Sequence, residues 1–106
     1  MRLIVNPPEV KAVLREIYEY TADRWGMEQA KKYHKQFKAV FKKLAQNPGL
    51  GHMHPDIPDH YRVYPAGSHM VVYYANTREL YIVAIFHQSM DIETHLEVFL
   101  NKMTFH

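Results

Sequence analysis

Residues 61–91 read YRVYPAGSHMVVYYANTRELYIVAIFHQSMD, and the fold class turns on this stretch. Two runs rich in β-formers lie within it, Ser68 to Ala75 and Leu80 to Phe86. Between them, Asn76-Thr77-Arg78-Glu79 has the polar, turn-prone composition of a hairpin connection. A third run, Tyr61 to Pro65, ends at the turn signal Pro65-Ala66-Gly67. The pattern predicts a three-stranded antiparallel meander whose last strand delivers His87 to the sheet edge. A histidine so placed is either a half-buried ring satisfied by backbone, or a titratable group on a rigid strand end. Periodicity leaves both open.

Upstream, Leu3-Ile4-Val5 fits a short buried strand, and Asn6 is placed as a helix N-cap. Pro7 then falls at the first helical position, with Glu9 at capping-box spacing. Val10, Val13, Leu14, Ile17, Tyr18, Thr21 and Trp25 recur at helical spacing up to Gly26, a residue suited to a C-terminal cap. Ala30, Tyr33, Phe37, Val40, Phe41 and Leu44 mark a second apolar stripe, closed by Asn47-Pro48-Gly49. So short a link between two helices predicts an antiparallel helical hairpin. Downstream, Ile92, Leu96, Phe99 and Leu100 predict a short C-terminal helix capped by Asp91. The order β-α-α-β-β-β-α indicates a single α+β domain over residues 1–106, with the hairpin packed on one face of an antiparallel sheet. The other face is expected to be open to solvent or a partner.

The chain has 106 residues, no cysteine and a net charge of +2. That composition excludes a disulfide framework and a thiolate metal site, and fits a reducing cytoplasm. No apolar run approaches the roughly 20 residues that span a bilayer. The opening Met1 to Pro8 is broken by proline too early to read as a signal peptide. Charge is unevenly spread: Lys31, Lys32, Lys35, Lys38, Lys42 and Lys43 face one acid, Glu28, across the second helix. Such a face is either simply solvated or meets an acidic partner or nucleic acid. His52-Met53-His54, with His60 beyond, invites a metal reading, but loop histidines without a fixed second shell make poor ligands. No metal and no cofactor is expected.

Several of these residues carry a resemblance. Tyr20-Thr21, Trp25-Gly26, Gln29-Ala30 and Tyr33 lie in the helices, followed by Pro48 and Gly51. Then come Arg62, Gly67-Ser68-His69, Tyr73-Tyr74 and the terminal His87-Gln88 with Met90-Asp91. In these the sequence resembles the ParE/RelE toxin superfamily, and specifically its ParE branch. Ser89 departs from the pattern, standing where such sequences usually carry arginine.

The resemblance implies a cytoplasmic bacterial toxin of a type II toxin–antitoxin system, of the kind tied to plasmid stabilisation and growth arrest. A ParD-like antitoxin is the implied partner, in a heterotetramer or beside a toxin homodimer. ParE-like members poison DNA gyrase without covalent chemistry of their own; RelE-like members cleave messenger RNA on the ribosome. The functional surface implied by the motif is Arg62, His69, His87, Gln88, Met90 and Asp91. Antitoxin docking is expected at Trp25, Lys31, Lys35, Lys38 and Lys42, through an apolar helix and acidic residues of the antitoxin.

The residues themselves weigh between the two mechanisms. Cleavage of RNA needs a base, an acid and cations for the charge that builds on phosphate. From His60 to Gln88 the fixed cations are Arg62 and Arg78, with Arg78 expected in a turn. A minimal nuclease set would be Arg62, His87 and Tyr73, with Tyr61 or Tyr64 as further hydroxyls; alternatively, Arg62 pairs with Asp91 or a backbone carbonyl. The expectation is therefore a non-enzymatic gyrase poison, with the mRNA endonuclease as the alternative. An inactive, toxin-derived module that still binds antitoxin is the third reading, raised by Ser89.

Overall fold

The computed structural model describes residues 1–55 and 57–88. Its elements run β1 (Leu3–Val5), α1 (Pro8–Trp25), α2 (Met27–Gln46), a 3-10 turn at Pro48–Leu50, β2 (Arg62–Ala66), β3 (His69–Ala75) and β4 (Glu79–His87). The expected α+β architecture is present. The C-terminal helix expected at Ile92 to Leu100, with its Asp91 cap, lies outside the described residues.

β2, β3 and β4 form the antiparallel meander that the turn residues predict. Gly67 makes the first turn possible, with φ at +59°, in the left-handed region that favours glycine. Asn76 closes the second turn, its Oδ1 accepting the N–H groups of Arg78 and Glu79 at 2.8 and 2.7 Å. β1 pairs parallel to β4, Leu3 with Glu79 through Val5 with Tyr81, so the sheet is mixed, in the order β1-β4-β3-β2. This corrects one expectation: β4 is an interior strand, and the sheet edges are β1 and β2. His87 stands at the end of an interior strand, well past its last rung with β1.

The start of α1 is a second correction. Pro7, not Asn6, is the N-cap, with Pro8 at the first helical position and no side-chain cap bond. A residue that precedes proline is pushed to extended backbone, and Pro7 sits at ψ 161°. The Pro-Pro pair thus shifts the helix start by one residue, and the capping box with Glu9 does not form. Asn6 Oδ1 is left buried without a hydrogen-bond partner. Gly26 ends α1 as expected, at φ 95°, and α2 begins at the next residue.

Phe37, Phe41, Leu44 and Ala45 of α2 and Val10 of α1 pack onto Ala66, Val71, Tyr73, Leu80, Ile82 and Ile85 of the sheet. The opposite face was expected to be open. It is closed instead: Val63, Val72, Val83, Ala84 and Phe86 are buried there in a second cluster with Ile57 of the loop. The register shifts between Val72 and Tyr73, so that Val72 pairs with Ala84 and Tyr73 with Ile82. Val83 is the extra residue of a β-bulge, and Val83 and Ala84 both belong to the second face. Among the described residues no helix is long and apolar enough to cross a membrane.

Candidate functional site

A cleft of about 1070 Å³ opens where the helical hairpin meets the β2–β3 turn. Glu16, Ile17, Tyr20, Thr21 and Trp25 form its α1 wall. Glu16 and Tyr20, Ile17 and Thr21, and Thr21 and Trp25 each stand four residues apart, so they share one side of the helix. Gln29, Tyr33 and Gln36 of α2 form the second wall, and Gly67, Ser68, His69 and His87 form the floor. Trp25 is 71% exposed and Tyr20 59% exposed. Large aromatics left in solvent beside a concave surface mark an interaction site more than a folding need.

Tyr33 ties the walls to the floor. Its hydroxyl accepts the Ser68 N–H at 3.0 Å and lies 2.6 Å from His69 Nδ1 and 3.1 Å from the Ala66 carbonyl. One arrangement satisfies all three: Nδ1–H and the Ser68 N–H donate to the phenol, and the phenol donates to Ala66. That assignment leaves His69 Nε2 as an acceptor. Burial raises the Tyr33 pKa. A Cβ at position 67 would collide with the Tyr33 ring, so glycine is required there by space as well as by backbone.

His69 and His87 are cross-strand partners, their ring centroids 5.2 Å apart at 82°. The His69 pKa is lowered from 6.5, first by burial and then by the charge of His87. Among the described lining residues, Glu16 is the carboxylate and there is no lysine or arginine.

Arg62 lies elsewhere. Its Nη1 donates to the Gly51 carbonyl at 2.8 Å, one of the two partners expected from the sequence. It lines a separate notch of about 410 Å³ with Arg2, His60 and Tyr74. From Arg62 to Ala66, the β2 residue beside His69, is about 13 Å along the strand at roughly 3.3 Å per residue. Tyr73 is fully buried, and its hydroxyl accepts the Gly51 N–H and donates to the Pro48 carbonyl. Arg62, His87 and Tyr73 are thus not gathered into one constellation. Arg78 is exposed at the β3–β4 turn, as expected.

Of the other expected residues, Gln88 is exposed and its N–H donates to the Ser68 carbonyl. Met90, Asp91 and the divergent Ser89 lie outside the described residues. Trp25 lines the cleft, whereas Lys31, Lys35, Lys38 and Lys42 are exposed and not part of its lining. His52 joins Val63 in an isolated bridge, and the His60 ring packs 4.1 Å from that of Tyr61. Sequence reasoning placed Tyr33 in the apolar stripe and missed its role as a hub. Its signal was a hydroxyl on an otherwise apolar face, since a half-buried phenol needs a partner.

The chain is similar to known proteins in sequence and in fold. The family model described as the ParE toxin of the type II toxin–antitoxin system, parDE, matches residues 5–92. Toxin ParE1 of Caulobacter vibrioides is 37% identical over 86 residues, 81% of this chain and 88% of that protein. Toxin ParE1 of Mycobacterium tuberculosis is 36% identical over 91 residues, 84% of this chain and 92% of that protein. A solved structure titled as the chromosomal ParDE TA system from P. aeruginosa has the same fold, with a TM-score of 0.70 at 20% identity. The match covers 82% of this chain and 96% of that one.

Proposed function

The chain belongs to the family of ParE toxins of type II toxin–antitoxin systems, and we propose that it acts as a DNA gyrase poison held inactive by a ParD-like antitoxin. The observation that carries this reading is the family match over residues 5–92. The site geometry supports gyrase over messenger RNA as the target. Stabilising the charge on a phosphate under attack needs cations at the reacting centre. His87 lies in a cleft without lysine or arginine among its described lining residues, and Arg62 is committed to the Gly51 carbonyl at the other end of β2. A poison needs a shaped surface and no such constellation.

The cleft is the proposed antitoxin site. A groove between two helices with Tyr20 and Trp25 exposed beside it suits an amphipathic helix laid along the hairpin. Trp25 is its anchor. The lysines at 31, 35, 38 and 42 lie outside the groove and act on an acidic antitoxin segment at longer range.

A supercoiling assay with purified gyrase tests the target. Inhibition by the free toxin is expected. Unchanged supercoiling, together with cleavage of messenger RNA on programmed ribosomes, would replace this reading with the endonuclease.

A further inference from the structure

The notch around Arg62 has no part in the function above, yet its chemistry is specific. Its lining includes Arg2, His60, Arg62, Tyr74, Asn76 and Thr77, and no carboxylate among the described residues. Both guanidiniums are held in place by backbone. Arg62 Nη1 donates to Gly51, and Arg2 Nε donates to the Asn76 carbonyl at 2.6 Å, with Arg2 Nη1 3.4 Å from the Ala45 carbonyl. A guanidinium has five N–H donors, so each keeps others for a ligand. Fixed arginines with spare donors suit an anion, and planar forks suit phosphate.

The cations continue along the sheet edge. β2 is an edge strand, and the next side chain after Arg62 on the same face is Tyr64. Lys43 Nζ lies 3.4 Å from the Tyr64 hydroxyl and 5.8 Å from its ring centroid. Lys43 therefore extends the cations from Arg62 along the β2 edge, while Arg2, just before β1, joins Arg62 across the end of the sheet.

Around the same end of the sheet runs a row of aromatic rings. His60 is exposed and packs on Tyr61; Tyr61 meets Tyr74 edge-on at 5.6 Å; Tyr74 stacks on Tyr81 at 4.7 Å and 13°. Tyr61, Tyr74 and Tyr81 are each partly exposed. Tyr61 and Tyr74 flank the second core cluster with part of each ring in solvent, and Tyr81 of β4 continues the row. Glu79 is hydrogen-bonded to the Tyr81 side chain at the last ring of the row.

We propose that this corner, the Arg2–Arg62 notch with the His60–Tyr61–Tyr74–Tyr81 row, binds a single-stranded nucleic acid. Phosphates sit on the two arginines and unpaired bases extend the tyrosine stack, the division of labour by which single strands are held without sequence preference. A notch of about 410 Å³ admits a nucleotide and not a duplex. An acidic peptide would satisfy the arginines but has no use for the row of rings. The proposal is independent of the target proposed above.

The test is fluorescence anisotropy with the full chain and a labelled, mixed-sequence single strand of about 12 nucleotides. Binding is expected, weakening steeply between about 50 and 200 mM salt, with the matching duplex bound more weakly. Arg2→Gln should weaken binding and make it less salt-dependent. Tyr74→Leu should weaken it about fivefold or more at unchanged salt dependence, and Tyr74→Phe, which keeps the ring, should bind as the parent does. Photo-crosslinking with an iodouracil-substituted strand needs no variant and should label Tyr61, Tyr74 or Tyr81. The proposal is overturned by no binding at low salt, by crosslinks confined to other elements, or by Tyr74→Leu binding as the parent does. Polyglutamate competing as well as the oligonucleotide would likewise overturn it, in favour of an acidic-peptide site.

Discussion

The rings of His69 and His87 face each other edge-on across the β3–β4 ladder, 5.2 Å apart, and it is the bulge at Val83 that brings them together. Leu80 and Ile82 face the helices, and strict alternation from them would put residue 87 on the opposite face. The bulge reverses the parity, so that Ile85 packs beneath the helices and His87 lines the cleft.

This pair makes stability depend on acidity. The folded state lowers the His69 pKa from 6.5, so the unfolded chain binds more protons just below that value. The contribution is fully present above about pH 6.5 and is lost as pH falls toward the folded pKa. Urea unfolding at a series of pH values should show stability declining through this window, with a shallower decline in His69→Gln. Parallel pH profiles for the two proteins would contradict this origin.

Tyr33→Phe removes the hydroxyl that joins α2 to Ser68, Ala66 and His69. The Ser68 N–H is exposed and turns to water, so the loss comes mainly from the other two contacts. The expected cost is about 1–2 kcal/mol in urea unfolding. A change within error would mean that the hub adds nothing to stability.

Two neighbouring glycines should respond in opposite ways. A Cβ at Gly51 would overlap the Tyr73 ring and hydroxyl, which bind the Gly51 N–H and the Pro48 carbonyl. A Cβ at Gly49 would meet only Asn47 Oδ1, at an ordinary 3.5 Å. Gly51→Ala should therefore cost about 1–3 kcal/mol, and Gly49→Ala well under about 1 kcal/mol, by thermal or urea unfolding.

At the proposed antitoxin groove, anchor and ridge should separate kinetically. Trp25→Ala should weaken antitoxin binding by at least about 2 kcal/mol, roughly 30-fold, through faster dissociation. Reversing Lys35 and Lys38 to glutamate should act mainly on the association rate, and most at low salt. Surface plasmon resonance distinguishes the two; a Trp25→Ala complex as tight as the parent would remove the groove from the interface.

The sequence foretold those parts of the fold that rest on local chemistry. Gly67 and Asn76 mark the turns of the meander, and Gly26 marks the corner of the hairpin, each by its own backbone requirement. The place of β1 was not legible, because three apolar residues carry no direction and its partner Glu79–Tyr81 is remote in sequence. The cap at Asn6 was misread because Pro8 controls the backbone of Pro7. The site was legible only in pieces. His69 and His87 could be picked out singly, but a bulge leaves no mark in Tyr81-Ile82-Val83-Ala84, where every side chain is apolar or aromatic. Arg62 was paired with His87 on the strength of chemistry alone, and the length of β2 keeps them apart.

The central claim, a gyrase poison restrained by an antitoxin, is tested most directly by the gyrase DNA-cleavage reaction on supercoiled plasmid. The prediction is that this protein makes linear, gyrase-linked DNA accumulate, and that prior addition of its antitoxin abolishes the effect. Plasmid supercoiled as fast as in the control, with no linear product at any toxin concentration, would contradict it.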